Sequence, residues 1–146
     1  MNVTGQTALV TGASTGIGAV YAREFAARGA NLILVARSED KMQALAAQLR
    51  KEYGGQVDVL TVDLAAPEAA NDLAQRVSSL GRTVDILVNN AGFATHGDVA
   101  AADPARLSTQ IQLNCVAMVD ITRRFLPAMI SRSRGTIINV ASTAAF

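Results

Sequence analysis

Short apolar runs alternate with helical patterns along the 146-residue sequence. The apolar runs read as buried parallel strands, which crossover helices join and cover on both faces. The sequence therefore predicts an α/β fold with a doubly wound parallel sheet. The predicted strands are 7–11, 31–36, 56–64, 84–89 and 135–141, and the predicted helices are 17–29, 38–53, 66–81 and 103–131.

Composition excludes several classes of function. The chain has 13 Lys and Arg against 12 Asp and Glu, so its charge favours neither nucleic acid nor an anionic membrane as a partner. A single cysteine, Cys115, and a single histidine, His96, predict no disulfide and no metal site. Because we find neither an apolar run of about 18 residues nor a signal peptide, we expect a soluble, cytoplasmic protein.

The segment TGASTGIG, residues 11–18, follows the first predicted strand and opens the first helix. Glycine permits a tight turn and lets the backbone approach a phosphate, which the helix N-terminus attracts. The segment lacks the Gly-Lys-Ser/Thr ending of a nucleoside-triphosphate loop. We therefore predict a dinucleotide site, with a glycine-rich turn that binds nothing as the alternative. Its predicted residues are Gly12, Ser14, Thr15, Gly16, Ile17 and Gly18.

The second predicted strand leads into Arg37. In sheets of this kind an acidic residue after the second strand binds the ribose 2′-hydroxyl of NAD, whereas an arginine accommodates the 2′-phosphate of NADP. A guanidinium can pair with that phosphate through its planar fork. Arg37 therefore favours NADP, with NAD as the second choice. A solvated arginine at a strand end is the alternative interpretation.

Five motifs in order resemble those of the short-chain dehydrogenase/reductase family. They are TGASTGIG, VDL at 62–64, NNAG at 89–92, LNCVA around Asn114 and INVAS ending at Ser142. The resemblance covers the whole chain and implies a Rossmann-type fold. It implies that residues 1–146 are a single dinucleotide-binding domain, about the first half of such an enzyme, without the C-terminal strands of the family fold.

The resemblance also implies roles for the later motifs. Asp63 bonds the adenine amino group and the backbone of Leu64 frames the ring; from the residues alone, Asp63 could equally be a turn residue. The segment NNAG stabilises the central sheet and lies along the cofactor. The residues of that segment predicted to contact the cofactor are Asn90, Ala91 and Gly92.

Two catalytic residues are implied in the same way. Ser142 hydrogen-bonds the substrate oxygen, and Asn114 bends its helix and holds a water in a proton relay. Asn114 also shares a predicted apolar helix stripe with Ile111 and Met118, so its amide needs a hydrogen-bond partner if buried. A structural buried asparagine is the alternative for this position.

The implied reaction is hydride transfer between a nicotinamide and a carbonyl or alcohol carbon of a small molecule, with a Tyr-x-x-x-Lys pair as proton donor. Tyr21 and Tyr53 are followed four positions later by Phe25 and Val57, so neither belongs to such a pair. We therefore expect the cofactor-binding part of a longer, homo-oligomeric, NADP-preferring oxidoreductase, inactive on its own. The alternative is a non-catalytic NADP-binding sensor or regulatory module. We expect the exposed fifth strand of such a fragment to associate with other chains.

Overall fold

The computed structural model describes residues 2–142. Its five strands form one sheet in the order β3-β2-β1-β4-β5, and all neighbouring strands are parallel. The predicted doubly wound α/β fold is confirmed. The strand order reverses between β1 and β4, whose carboxyl ends therefore lie side by side. The strands are β1 Thr7–Thr11, β2 Asn31–Ala36, β3 Val57–Thr61, β4 Ile86–Asn89 and β5 Thr136–Asn139.

Five α-helices accompany these strands in the described residues. Gly54, in a left-handed conformation with φ of 73°, ends α2 after Tyr53. At the start of α4, Pro104 takes the first helical position and the Asp103 carboxylate accepts a hydrogen bond from the Ala105 N–H. The helices are α1 Gly16–Ala27, α2 Glu39–Tyr53, α3 Ala69–Ser79, α4 Pro104–Ile111 and α5 Met118–Ser131.

A π-helical segment, Gln112–Ala117, joins α4 to α5 without a break. The single predicted helix 103–131 is therefore continuous but contains one widened turn. The wider turn rotates the side chains of α4 relative to those of α5. Ile111, predicted on the apolar stripe with Asn114, is 61% exposed, whereas Ile121 further along is buried.

Both faces of the sheet are buried, because successive strand side chains point to opposite faces. Val10 and Leu34 pack under α1 and α2 in one apolar cluster. Leu9 and Ile33 pack under α3 and α5 in a second cluster on the other face. Burial of each such side chain contributes about 1.5–3 kcal/mol. This two-sided burial holds the carboxyl ends of the strands in fixed positions relative to one another.

Candidate functional site

A cavity of about 350 Å³ opens at the carboxyl ends of β1, β2, β3 and β4. Its lining includes every predicted cofactor-binding residue except Gly16 and Gly18. Ala36, Ser38, Val62 and Leu113 also line it. Sequence reasoning did not assign these four, although each of them directly adjoins a residue or motif that it singled out.

Gly16 and Gly18 shape the cavity without lining it. Gly12 and Gly16 have φ values of +66° and +56°, a conformation that side chains disfavour. Gly18 is required for space instead. A Cβ atom at Gly18 would lie 2.6 Å from Asn90 Nδ2 and closer still to the Gly12 carbonyl oxygen. The glycine spacing therefore serves two needs, a left-handed turn and the close approach of α1 to the strand ends.

Thr11, the last residue of β1, connects the glycine loop to β4. Its hydroxyl donates to the Val88 carbonyl at 3.1 Å and accepts from the N–H groups of Asn90 at 2.9 Å and Ala91 at 3.0 Å. The Asn90 amide in turn donates to the carbonyls of Thr11 and Gly12. Thr11 is 1% exposed. Sequence reasoning gave Thr11 no role, although a buried hydroxyl at the end of an apolar strand is a usable signal.

Asn89, one residue earlier, bridges β4 to β5 and α5. Its Nδ2 donates to Thr122 Oγ1 at 3.0 Å and to Asn139 Oδ1 at 2.9 Å. Asn89 and Asn139 are register partners in the sheet. This pairing ties the strand before Ser142 to the strand that carries the NNAG segment. Thr122 and Asn139 are further polar contributors that the sequence analysis did not identify.

Asn114 lies in the π-helical segment and is half-buried. Its Nδ2 donates to the Phe93 carbonyl at 2.9 Å, and its Oδ1 accepts from the Phe93 N–H at 3.1 Å. Both ends of the amide therefore hold the backbone immediately after Gly92, which lines the cavity. The expected hydrogen-bond partner of Asn114 is thus the chain segment that leaves the NNAG motif.

The segments after β2 and β3 contribute three polar residues to the cavity, Arg37, Ser38 and Asp63. Within residues 2–142, Arg37 makes no ion pair or hydrogen bond, so its guanidinium is available to a ligand. Ser38 precedes α2 without a capping bond from its side chain. Asp63 stabilises the turn in which it lies, because its Oδ1 accepts a hydrogen bond from the Ala65 N–H at 3.1 Å. It also lines the cavity.

Ser142 is exposed and follows the carboxyl end of β5, so it lies at the same end of the strands as the cavity. Neither Ser142 nor Asn114 lines the cavity itself, whereas Leu113 does. The described part of the chain contains no cluster of three or more acidic, histidine or cysteine residues that could hold a metal ion. No helix within residues 2–142 is both long enough and apolar enough to cross a membrane.

Two solved structures resemble this fold closely. L-Sorbose reductase from Gluconobacter frateurii, complexed with NADPH and L-sorbose, has a TM-score of 0.92 and 35% sequence identity and matches 99% of this chain. A short-chain dehydrogenase from Sphingobium yanoikuyae in complex with NADPH has a TM-score of 0.90 and 38% identity over 97% of this chain. The match covers 56% and 55% of those two chains.

Curated relatives and a family model agree with the structural comparison. A very-long-chain 3-oxoacyl-CoA reductase from Phaeosphaeria nodorum is 38% identical over 97% of this chain and 43% of its own length. A fatty acyl-CoA reductase from Acinetobacter baylyi is 36% identical over 97% of this chain and 48% of its own length. The chain thus spans about half the length of the relatives it matches. The family model described as short chain dehydrogenase matches residues 6–146, and the chain belongs to the short chain dehydrogenase family.

Proposed function

We propose that residues 1–146 form the dinucleotide-binding domain of an NADP-dependent short-chain oxidoreductase. The observation that carries this proposal is one cavity lined by the glycine loop, Arg37, Asp63 and the NNAG segment. The NADPH complexes of the solved relatives support the choice of cofactor. No observation favours the non-catalytic alternative, since the relatives are named as reductases and dehydrogenases.

The cofactor would lie along the carboxyl ends of the strands. The N-terminus of α1 has no side-chain cap, so its free N–H groups can hold the pyrophosphate. Arg37 would pair with the 2′-phosphate, and Asp63 with Leu64 would frame the adenine. Ala91 and Gly92 would border the other half of the cofactor. The reduced nicotinamide, when bound, supplies a hydride to a carbonyl carbon.

The proposed catalytic roles fall on Ser142 and Asn114. The Ser142 hydroxyl would donate a hydrogen bond to the substrate oxygen. Because both ends of the Asn114 amide bind Phe93, its side chain orients the segment after Gly92. The family resemblance implies that Asn114 would also hold a water of a proton relay. We propose a small-molecule carbonyl or alcohol as substrate. Homo-oligomeric assembly and a cytoplasmic location remain proposals from the sequence.

Binding of the reduced cofactor tests the proposed function directly. We expect this chain to bind one NADPH, measured by calorimetry and by the fluorescence of the reduced nicotinamide. NADH should bind more weakly, because it lacks the phosphate that Arg37 would contact. Absence of saturable binding of either cofactor by the folded chain would overturn the proposal.

The substitution Arg37→Met should change cofactor preference rather than overall binding. Loss of a charge-assisted pair with phosphate should weaken NADPH binding about 10- to 100-fold, since such bonds contribute about 1.5–3 kcal/mol. The dissociation constant of NADH should stay unchanged within error. Lys41→Met, which removes a nearby exposed cation of α2, is the matched control. Equal weakening of NADPH and NADH would contradict the assignment of Arg37.

A further inference from the structure

The strand β3 forms one edge of the sheet, and its pairing determines which backbone groups face outward. The Leu32 N–H donates to the Gln56 carbonyl, and the Val62 N–H donates to the Ala36 carbonyl. In a parallel pair, alternate residues of a strand bond to the same neighbour. The N–H and C=O groups of Val57, Val59 and Thr61 therefore point away from the sheet.

Two arginines already occupy two of these three outward carbonyls. Arg50, near the end of α2, donates through Nη2 to the Val57 carbonyl. Arg76, on α3, donates through Nη1 to the Thr61 carbonyl at 3.1 Å. Because α2 and α3 cover opposite faces of the sheet, the two guanidinium groups reach the same edge from both sides, one at each end of the strand.

Neighbouring charges hold this arrangement in place. Asp72 binds Arg76 through two parallel contacts of 2.9 Å, Nε to Oδ1 and Nη2 to Oδ2, which leaves Nη1 directed at the strand. At the middle of β3, Asp58 pairs with Arg82 Nε at 2.9 Å, and both side chains are only about a quarter exposed. A charge on the inward side of an edge strand is a known obstacle to pairing with another chain.

The opposite edge, β5, lacks such arginines. The Thr136 N–H donates to Asp85 and the Val140 N–H to Asn89, so the backbone groups of Ile137 and Asn139 face outward. No arginine within residues 2–142 donates to the backbone of either residue. The two edges of the sheet therefore differ in their capacity to accept a strand.

We propose that Arg50 and Arg76 close the β3 edge against strand addition by a second copy of this chain. An unpaired row of backbone groups is a template for a further strand. An incoming strand at β3 would need the carbonyls of Val57 and Thr61, and it would have to displace both guanidinium groups to reach them. Extension of the sheet is thereby confined to β5.

The test compares Arg50→Met/Arg76→Met with Arg23→Met/Arg123→Met, which removes the same charge from exposed positions on α1 and α5. Sedimentation measures association and residue-resolved amide exchange locates it. The first variant should associate at a concentration about tenfold lower than the control, since each freed carbonyl permits a further hydrogen bond. New amide protection should appear at Val59.

A third substitution makes the test specific to the edge. Val59→Pro removes an outward N–H and no hydrogen bond to β2, although it also replaces a side chain that packs against the core. In a folded triple variant, adding it to Arg50→Met/Arg76→Met should restore the association of the control. If the double variant does not fold, Arg76→Met against Arg123→Met carries the same comparison. Equal association of the two variants, protection gained only at Ile137 and Asn139, or failure of the proline to reverse association would each overturn the proposal.

Discussion

Gly18→Ala is expected to abolish detectable NADPH binding and to lower the free energy of unfolding by about 3 kcal/mol. Alanine has a higher helix propensity than glycine by about 1 kcal/mol, so propensity alone predicts that the substitution would raise the free energy of unfolding. The steric term decides, because the new Cβ would meet Asn90 Nδ2 at 2.6 Å and the Gly12 backbone more closely. Relief requires α1 to move away from the strand ends, which widens the proposed pyrophosphate site.

Urea unfolding and NADPH titration would measure the two effects of Gly18→Ala. The matched control is Gly54→Ala, which has open space around its Cβ but a φ of +73°. It should cost about 1–2 kcal/mol through backbone strain and leave NADPH binding unchanged. If Gly18→Ala bound NADPH as tightly as the unsubstituted chain, the close approach of α1 to the loop would not be required for cofactor binding.

Thr11→Val should also have a large effect, because it removes a fully buried hydroxyl while keeping the side-chain shape. The Asn90 and Ala91 N–H groups would lose their acceptor, and the Val88 carbonyl would lose its side-chain donor. An unsatisfied buried N–H group costs about 1–3 kcal/mol, so the loss of an acceptor for two of them should lower the free energy of unfolding by about 2–6 kcal/mol. NADPH binding should weaken as the contact between β1 and β4 loosens.

Thr11→Ser distinguishes the contribution of the hydroxyl to stability from that of the methyl group. Serine keeps all three hydrogen bonds and loses one buried methyl, which costs about 1 kcal/mol. Urea unfolding of the two variants should therefore differ by at least 1 kcal/mol in favour of serine. Equal stabilities would mean that the hydroxyl of Thr11 contributes only packing.

Much of the fold could be predicted because the strands are apolar on both faces. The observed bounds of β1 and β2 are identical to the bounds predicted from the sequence. The prediction for β3 extended to 64, whereas the strand ends at Thr61. Val62 still donates to the Ala36 carbonyl, but the chain then turns at Asp63, and Val62 and Leu64 are buried and line the cavity. Apolar residues that line a site look the same in sequence as apolar residues of a strand.

Other features leave no periodic signal. The predicted start of α3 at 66 was too early, because Glu68 adopts a φ of 58° and the helix begins at Ala69. The widened turn at Gln112–Ala117 changes the helical period for only one turn, which the spacing of apolar residues does not resolve. The contact of Asn114 with Phe93 depends on that turn and on the loop after β4, so it required the structure.

The strand order has a consequence for the nascent chain. Val10 pairs with Leu34 on one side and with Val88 on the other, so the central strand acquires its second neighbour only after β2, α2, β3 and α3 have been synthesised. At about 5–20 residues per second, the ribosome needs roughly 3–10 seconds to pass from β2 to β4. During that interval Thr11 has no Asn90 to bind, and the cavity lacks the wall formed by Asn90, Ala91 and Gly92.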